Sequence, residues 1–295
     1  MRIIAAFTLL AVVGLGADAR AQRPGAEVRS WQLVVDGAPG AFLSSASAAQ
    51  NAASVEETTL MTPGGIQPAL WSWIALSVEG QDPRKNATIV GVGVDPKSTT
   101  ATQLASASMR KIVFPALDAT DRSPTQIGIV LSAAASAPTT APGNPERSGP
   151  SYVSSSFRLG IDGMPASRAA AVGAIMVTIA AQPLITATMP RGIGLAAPRA
   201  MPLAPGVAPV KTGSNVTIAP ITVKVALADA PAFQQWLSSA PGTKRNGSVQ
   251  YLDATMKQGF TLALKGIGIS RITTDTSAAR ATIELTAEAA SVSPP

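Results

Sequence analysis

One pattern of nine residues occurs twice in this chain, and it constrains the fold more than any other feature. It reads WQLVVDGAP from Trp31 and FRLGIDGMP from Phe157, a separation of 126 positions. An aromatic residue followed by alternating apolar residues predicts a strand with one buried face. The Asp-Gly pair that ends each strand predicts a tight turn, because aspartate bonds the following backbone and glycine accepts a positive φ. The chain therefore contains two copies of one strand and its turn.

A second pair of matching segments extends the repeat. RKNATI from Arg84 matches KRNGSV from Lys244, at a separation of 160 positions, and each is a basic turn that opens a strand. Further on, the alternating residues around Ile112 match those around Ile267. A chain that repeats a series of strands and turns uses one supersecondary plan twice. We therefore predict an all-β protein of two similar antiparallel β-sandwich or β-barrel domains.

These matches place the first domain at residues 22–131 and the second at residues 157–295. Residues 132–156 are rich in Ala, Ser and Pro and have no periodicity, which is typical of a linker. The separation grows from 126 to 160 because the second domain has two insertions. One is a short helix at residues 229–240, and the other is a Pro-rich segment at residues 188–210, which is either an ordered arm or a flexible loop.

The first domain is predicted to lack this helix. In its place, the residues from Trp71 to Val78 lead almost directly to the basic turn, so we expect a strand there with Trp71 and Trp73 on one face. Two aromatic side chains in line can hold a sugar ring, although such pairs more often pack in a core or a subunit interface. These two tryptophans are the basis of one alternative function, a β-sandwich ligand-binding module.

Composition excludes several kinds of chemistry. The 295 residues include no histidine and no cysteine, which excludes histidine-based triads, cysteine nucleophiles, Cys/His zinc sites and disulfides. Asp36 and Asp162 recur in the repeat, but a tight turn explains both. Glu284 and Glu288 would share one face of a strand, yet no neighbouring group completes an acid–base pair. We expect no enzymatic activity, no catalytic residue, no cofactor and no metal site.

Positive charge is concentrated in the second half of the chain. Residues 148–295 contain twelve Lys or Arg against six Asp or Glu, a net charge of +6, whereas residues 22–147 contain nine against ten, a net charge of −1. A basic surface can attract nucleic acid or the acidic half of a neighbouring subunit. Because these basic residues are scattered and few aromatic residues lie among them, we do not expect a nucleic-acid partner.

The beginning of the chain has the features of a secretory signal peptide. Arg2 precedes an apolar run that ends at Gly16, and Ala19-Arg20-Ala21 is a cleavage site of the A-x-A kind. The run is too short to span a membrane, and no later run is long enough. We therefore expect residues 1–21 to be removed, Gln22 to become the first residue, and the mature protein to be periplasmic or extracellular.

The second domain resembles a known family in the order of its motifs. An I-T-x-K strand begins at Ile221, a short helix follows with the aromatic pair Phe233 and Trp236, and a basic turn then leads to a strand that ends at Asp253. A closing strand reads ATIELTAEA. In this order the motifs resemble those of the tail-tube proteins of contractile phage tails and the related Hcp tube protein of type VI secretion, over roughly residues 150–292. The family also begins with a strand and a following Asp-Gly.

This resemblance implies a structural function. Members of the family form stacked hexameric rings, and a long arm in the region that corresponds to residues 188–210 packs on the next subunit. A chain with two fused copies would build a similar ring from three chains. Because ordinary tail-tube and Hcp proteins act without a signal peptide, an exported filament or an envelope-associated ring fits better than a sheath-driven tube. The expected partners are further copies of the chain and other tube, baseplate or envelope components of a virion or injection system.

Overall fold

The computed structural model describes residues 28–50, 56–93, 99–140, 151–165, 169–180, 216–239 and 242–295. The predicted signal peptide and the Pro-rich segment 188–210 lie outside these residues. Within them, strands predominate and all the pairings are antiparallel, so the prediction of an all-β fold with two similar parts is confirmed.

Among the described residues, the first unit has nine strands and one helix. In chain order these are β1 (Val28–Val35), β2 (Ala38–Leu43), β3 (Ser45–Gln50), β4 (Glu56–Thr62), α1 (Pro68–Val78), β5 (Lys85–Gly93), β6 (Thr99–Phe114), β7 (Leu117–Asp118), β8 (Ile127–Ala133) and β9 (Ala135–Thr139). β9 lies inside the predicted linker, and so do the first residues of the next strand. The linker prediction for residues 132–156 is therefore wrong at these positions, where backbone pairing orders a chain rich in small residues.

The second unit begins with the second copy of the Asp-Gly strand. Its elements are β10 (Tyr152–Ile161), β11 (Ala171–Val172), β12 (Ile175–Ile179), β13 (Val216–Ile218), β14 (Ile221–Ala226), a 3-10 turn (Leu227–Asp229), α2 (Ala230–Ser239), β15 (Arg245–Asp253), β16 (Gln258–Asp275), β17 (Arg280–Thr286) and β18 (Ala289–Ser293). The predicted helix at residues 229–240 is thus confirmed as α2, with Pro231 in its first turn, where its fixed φ is tolerated.

Both units follow one strand order. In the first sheet the order is β2-β1-β5-β6-β8-β4-β3, with β9 paired to β6, and in the second it is β10-β15-β16-β17-β14-β11-β7, with β18 paired to β16. Strands β1-β5-β6-β8 therefore correspond to β10-β15-β16-β17, and the hairpin of β3 and β4 corresponds to the hairpin of β11–β12 and β13–β14. The long strand β6 pairs with the short strand β9 along its first half and with β8 along its second half. In the same way, β16 pairs with the short strand β18 along its first half and with β17 along its second half.

Equivalent hydrogen bonds confirm the alignment of the two sequence motifs. The backbone N–H of Asp36 donates to the carbonyl of Asn86 at 2.8 Å, and Asp162 donates to Asn246 in the same way at 2.8 Å. The Asn86 side chain in turn accepts from the backbone of Ser106, as Asn246 accepts from Gly266. Ser106 and Gly266 both have positive φ, 49° and 64°. Each asparagine thus bridges the Asp-Gly turn to the middle of the long strand.

The match between the long strands differs from the predicted one. Ile112 pairs with Ile129 on β8, and Ile272 pairs with Ile283 on β17, so Ile112 corresponds to Ile272 and not to Ile267. A β-bulge interrupts each pairing, between Met109 and Lys111 in the first unit and at the corresponding place in the second. The predicted match is thus displaced by five residues. Because a β-bulge shifts the in–out alternation of a strand by one residue, a displacement by an odd number of residues still aligns apolar residues with apolar residues.

The first unit also has the helix that was predicted to be absent. Residues Pro68–Val78 form α1, not a strand, with proline in the first turn. Leu70, Trp71, Trp73 and Ile74 are all buried. A helix buried on most of its circumference carries no polar stripe, so its 3.6-residue period is not visible in the sequence. Both units therefore contain a helix before the basic turn.

Candidate subunit interface

The two units are joined edge to edge by strand pairing. β12 of the second unit pairs with the second half of β6 of the first, where Val177 lies opposite Ile112. Immediately beyond, β7 of the first unit pairs with β11 of the second, where Leu117 lies opposite Val172. β12 and β13 of the second unit therefore belong to the ten-stranded sheet of the first unit, and β7 of the first unit belongs to the eight-stranded sheet of the second, so each sheet contains strands of both units. We call this contact the internal junction.

Helix α1 and an aromatic cluster cover the internal junction. The ring of Trp71 lies 5.0 Å from the ring of Phe260 on β16, so α1 of the first unit packs on the second unit, where it also contacts β18. Phe260 stacks on Tyr251 at 4.2 Å and meets Tyr152 edge-on at 5.1 Å. Phe114 of the first unit lies 5.9 Å from Phe260. One apolar core therefore runs through both units without a break.

Glycine permits the close packing in this cluster. A Cβ atom at Gly259 would overlap the ring of Tyr152, which lies directly on the backbone there. Burial raises the pKa of Tyr152 to about 12, with a smaller contribution from the charge of Asp253. Burial also raises the pKa of Tyr251, whose hydroxyl donates to the carbonyl of Pro115 in the first unit at 3.5 Å. Both tyrosines are thus neutral structural groups at physiological pH.

Each end of the chain presents one half of the same junction. In the described parts of the chain, β3 pairs only with β4, so its outer edge has no partner strand. At the other end, the second half of β16 pairs with β17, and its outer edge has no partner strand in the described ranges. β3 corresponds to β11 and β12, and the second half of β16 corresponds to the second half of β6. The open edge of β3 is therefore equivalent to the β11–β12 side of the internal junction, and the open edge of β16 is equivalent to its β6 side.

The recurring aspartates lie in turns, as the sequence predicts. Asp36 has a φ of 49°, and its carboxylate accepts hydrogen bonds from the Asn86 backbone at 3.0 Å and from the Lys85 ammonium at 2.7 Å. The bond from Lys85 holds the pKa of Asp36 below its usual value. At the equivalent turn, Arg245 bonds the backbone carbonyl of Asp162, not its carboxylate, at 3.1 Å. Asp36 thus stabilises its turn through charge, whereas Asp162 does so through its backbone.

This difference predicts a pH-dependent contrast between two matched variants. Asp36→Asn should lower the free energy of unfolding by about 0.5–1 kcal/mol at neutral pH, since the Lys85 pair is half exposed and screened. Asp162→Asn should have a smaller effect. A lowered pKa stabilises the fold above the unfolded value, about 3.9, and this contribution is lost as the pH falls through the folded pKa. Urea unfolding at neutral and acid pH measures both, and equal losses at neutral pH would contradict the assignment.

The other groups considered for chemistry do not form a site. Glu288 follows the end of β17 and pairs with Lys244, so it does not share a strand face with Glu284, and that expectation is wrong. Trp71 and Trp73 lie in α1 and are only 3% and 0% exposed, which contradicts a ligand platform. Among the described residues, no three His, Cys, Asp or Glu side chains are grouped so that they could hold a metal ion.

Comparison with known sequences adds no relative. No family model and no curated protein matches this chain. In the parts of the chain that the structure describes, neither helix has the length and hydropathy of a membrane-spanning segment.

Proposed function

We propose that this chain is an exported structural subunit that assembles with copies of itself into a ring, as the tail-tube proteins that it resembles do. The observation that supports this function is the pair of open edges. The chain already contains one edge-to-edge contact between its two units, and its two ends carry the two complementary halves of that contact. An unpaired strand edge readily pairs with another chain unless it is blocked.

Such a contact is head to tail, because the two surfaces differ. Repeating a head-to-tail contact produces a closed ring when the rotations sum to a full turn and an open helix when they do not. If each chain contributes two units to a six-unit ring, as the resemblance implies, three chains complete it. Further tube, baseplate or envelope components would then bind the faces of the ring. We expect no enzymatic activity from this assembly.

Electron microscopy of the purified mature protein tests ring formation. The expected images are closed rings with six similar lobes, alone or stacked. Isolated particles with two lobes would contradict the proposal. Helical filaments would support self-assembly but would show that the rotation between neighbouring chains does not close.

Export has a separate test. The expected outcome is that protein recovered from the envelope or the medium begins at or near Gln22, because the Arg2 start and the apolar run after it fit a signal peptide. N-terminal sequencing by mass spectrometry measures this directly. A chain from the same fraction that keeps Met1 would contradict cleavage and leave the assembly proposal unchanged.

The alternative function is a periplasmic or surface β-sandwich that binds a ligand on Trp71 and Trp73. Both side chains are buried in α1, and the Trp73 indole donates to the carbonyl of Pro83 at 2.9 Å. No described observation favours this module over a structural subunit.

A further inference from the structure

We infer that the contact between two chains has the same strand register as the internal junction but is weaker. The two units of one chain therefore stay together permanently, whereas the ring forms and dissociates reversibly. This inference rests on the proposed self-assembly. It commits to a second copy of this chain as the partner, with α2 and β16 of one copy facing β3, β6 and β9 of the next. The residues of the contact follow from the equivalence of the two units.

The two helices align without a gap. Pro68 corresponds to Pro231 and Trp73 to Trp236, each 163 positions apart. The two indoles confirm this alignment, because Trp73 donates to Pro83 and Trp236 donates to Thr243 at 3.0 Å, each two residues before the next strand. Both tryptophans are buried in their own units. The helices therefore present equivalent faces.

On this alignment, the face of α1 that covers the internal junction has an exposed counterpart on α2. Trp71 and Ile74 are 3% and 0% exposed on α1. Their counterparts are Gln234, which is exposed, and Leu237, which is 43% exposed. Leu237 is one of two large hydrophobic side chains that are exposed among the described residues. An exposed leucine at a position whose counterpart is fully buried in the same fold marks a surface without its cover.

The complementary surface lies at the opposite end of the chain. In the second unit α1 contacts Phe260 through Trp71 and also contacts β18, which carries Val292. Phe260 and Val292 correspond to Thr100 and Pro138 in the first unit. Phe260 and Val292 are buried, whereas Thr100 and Pro138 are exposed. Leu104, on the same face of β6, is 1% exposed, so this face belongs to the core of the first unit. In the first unit Thr100 and Pro138 are exposed on this face, and the partly buried ring of Trp31 lies over Gly91 beside Thr100, whereas α1 lies on the equivalent face of the second unit.

Strand equivalence sets the register of the contact. At the internal junction, Met176 on β12 lies opposite Val113 on β6. Ala46 pairs with Leu60 and Val172 pairs with Val223, so β3 and the β11–β12 segment occupy equivalent places in their hairpins, 126 positions apart. Subtracting 126 from 176 gives position 50, and adding 160 to 113 gives position 273. The pairing between chains therefore sets Gln50 opposite Thr273.

The apolar area buried in each contact explains why the internal junction is permanent and the contact between chains, the outer contact, is reversible. The internal junction buries a tryptophan against a phenylalanine, two side chains of large apolar area. The outer contact sets Gln234 and Leu237 against Thr100 and Pro138, which bury far less apolar surface. Because the hydrophobic contribution follows the apolar area removed from water, the outer contact is the weaker one. Assembly should accordingly depend on protein concentration.

Substitution of Leu237 tests the helix side of this contact. Leu237→Lys should weaken self-association by about tenfold, since it removes the largest apolar side chain of this contact and replaces it with an ammonium group that would lose water without gaining a partner. Met256→Lys is the matched control, because Met256 is the other exposed large hydrophobic residue and lies in the turn between β15 and β16. Conversely, the double variant Gln234→Trp with Thr100→Phe installs the internal pair and should strengthen association by a similar factor. Equal effects of the two lysine variants would overturn the assignment of α2.

Disulfide trapping tests the register, and the absence of cysteine from the chain removes any background. Residues opposite each other on antiparallel strands have Cα atoms about 4.5–5.5 Å apart, within the range of a disulfide. The variant Gln50→Cys with Thr273→Cys should form, after oxidation, chains linked to one another. The variant Val113→Cys with Met176→Cys is the control, because it should form a bond within one chain and leave the mass unchanged.

The outcomes separate this inference from the proposed function. Light scattering on the parent protein first establishes whether it assembles. If it assembles and Gln50→Cys with Thr273→Cys gives covalent multimers ending at the ring size, the register is supported. If it assembles and only uncrosslinked chains result while the control bond forms, the register is overturned and self-assembly stands. A parent protein that never assembles overturns both.

Discussion

Replacing Phe260 by alanine should lower the free energy of unfolding by about 3–5 kcal/mol, the usual range for a buried phenylalanine. Phe260 is 0% exposed and contacts rings from both units, Trp71 and Phe114 from the first and Tyr152 and Tyr251 from the second. Its removal leaves a cavity that the surrounding strands cannot close, because they are held by pairing on both sides. The loss should affect the junction and not one unit alone.

Two controls make this prediction specific. Phe260→Leu keeps most of the volume and should cost less than the alanine variant. Thr100→Ala changes the equivalent, exposed position of the first unit and should alter the stability by no more than about 0.5 kcal/mol. Denaturant unfolding measures all three variants. A Phe260→Ala variant as stable as the parent would show that the two units do not share this core.

Replacing Trp236 by alanine should also cost about 3–5 kcal/mol. The indole is 3% exposed, it donates to the carbonyl of Thr243 at 3.0 Å, and the guanidinium of Arg245 lies 4.8 Å from its ring. It therefore fixes α2 to the loop that leads into β15. Trp73→Ala removes the equivalent anchor in the first unit and should have a similar cost.

The intermediate variant Trp236→Phe tests what the indole contributes. Phenylalanine retains most of the buried area but lacks the N–H donor, so the stability of this variant should lie between that of the parent and that of the alanine variant. Thermal unfolding of the three proteins decides the order. If Trp236→Ala unfolds at the temperature of the parent, α2 is not held by this side chain.

The sequence predicts most of the second unit because its local signals agree with one another. The Asp-Gly turns, the basic turns and α2 depend on residues close together in the chain, where turn chemistry and periodicity are informative. Helix α1 could not be read in the same way, because burial on most sides removes its polar stripe. Its alignment with α2, PALWSW against PAFQQW, was the available signal, since both segments begin with proline and have tryptophan at the sixth position.

The internal junction could not be predicted from the sequence for a different reason. It depends on pairing between β6 and β12, strands of different units, which no local pattern specifies. The informative comparison is between equivalent positions, such as Thr100 and Phe260, where one copy is polar and the other aromatic. That comparison needs the correct register of the long strands, and the β-bulge in each strand conceals it.

The mass of the mature chain in solution tests the central claim most directly. Light scattering on protein that begins at Gln22, measured over a range of concentration and salt, should show a mass that rises toward that of three chains. Leu237→Lys should shift this rise to higher concentration, and Met256→Lys should not. A parent protein that keeps the mass of one chain at high concentration, at every salt concentration, would contradict self-assembly.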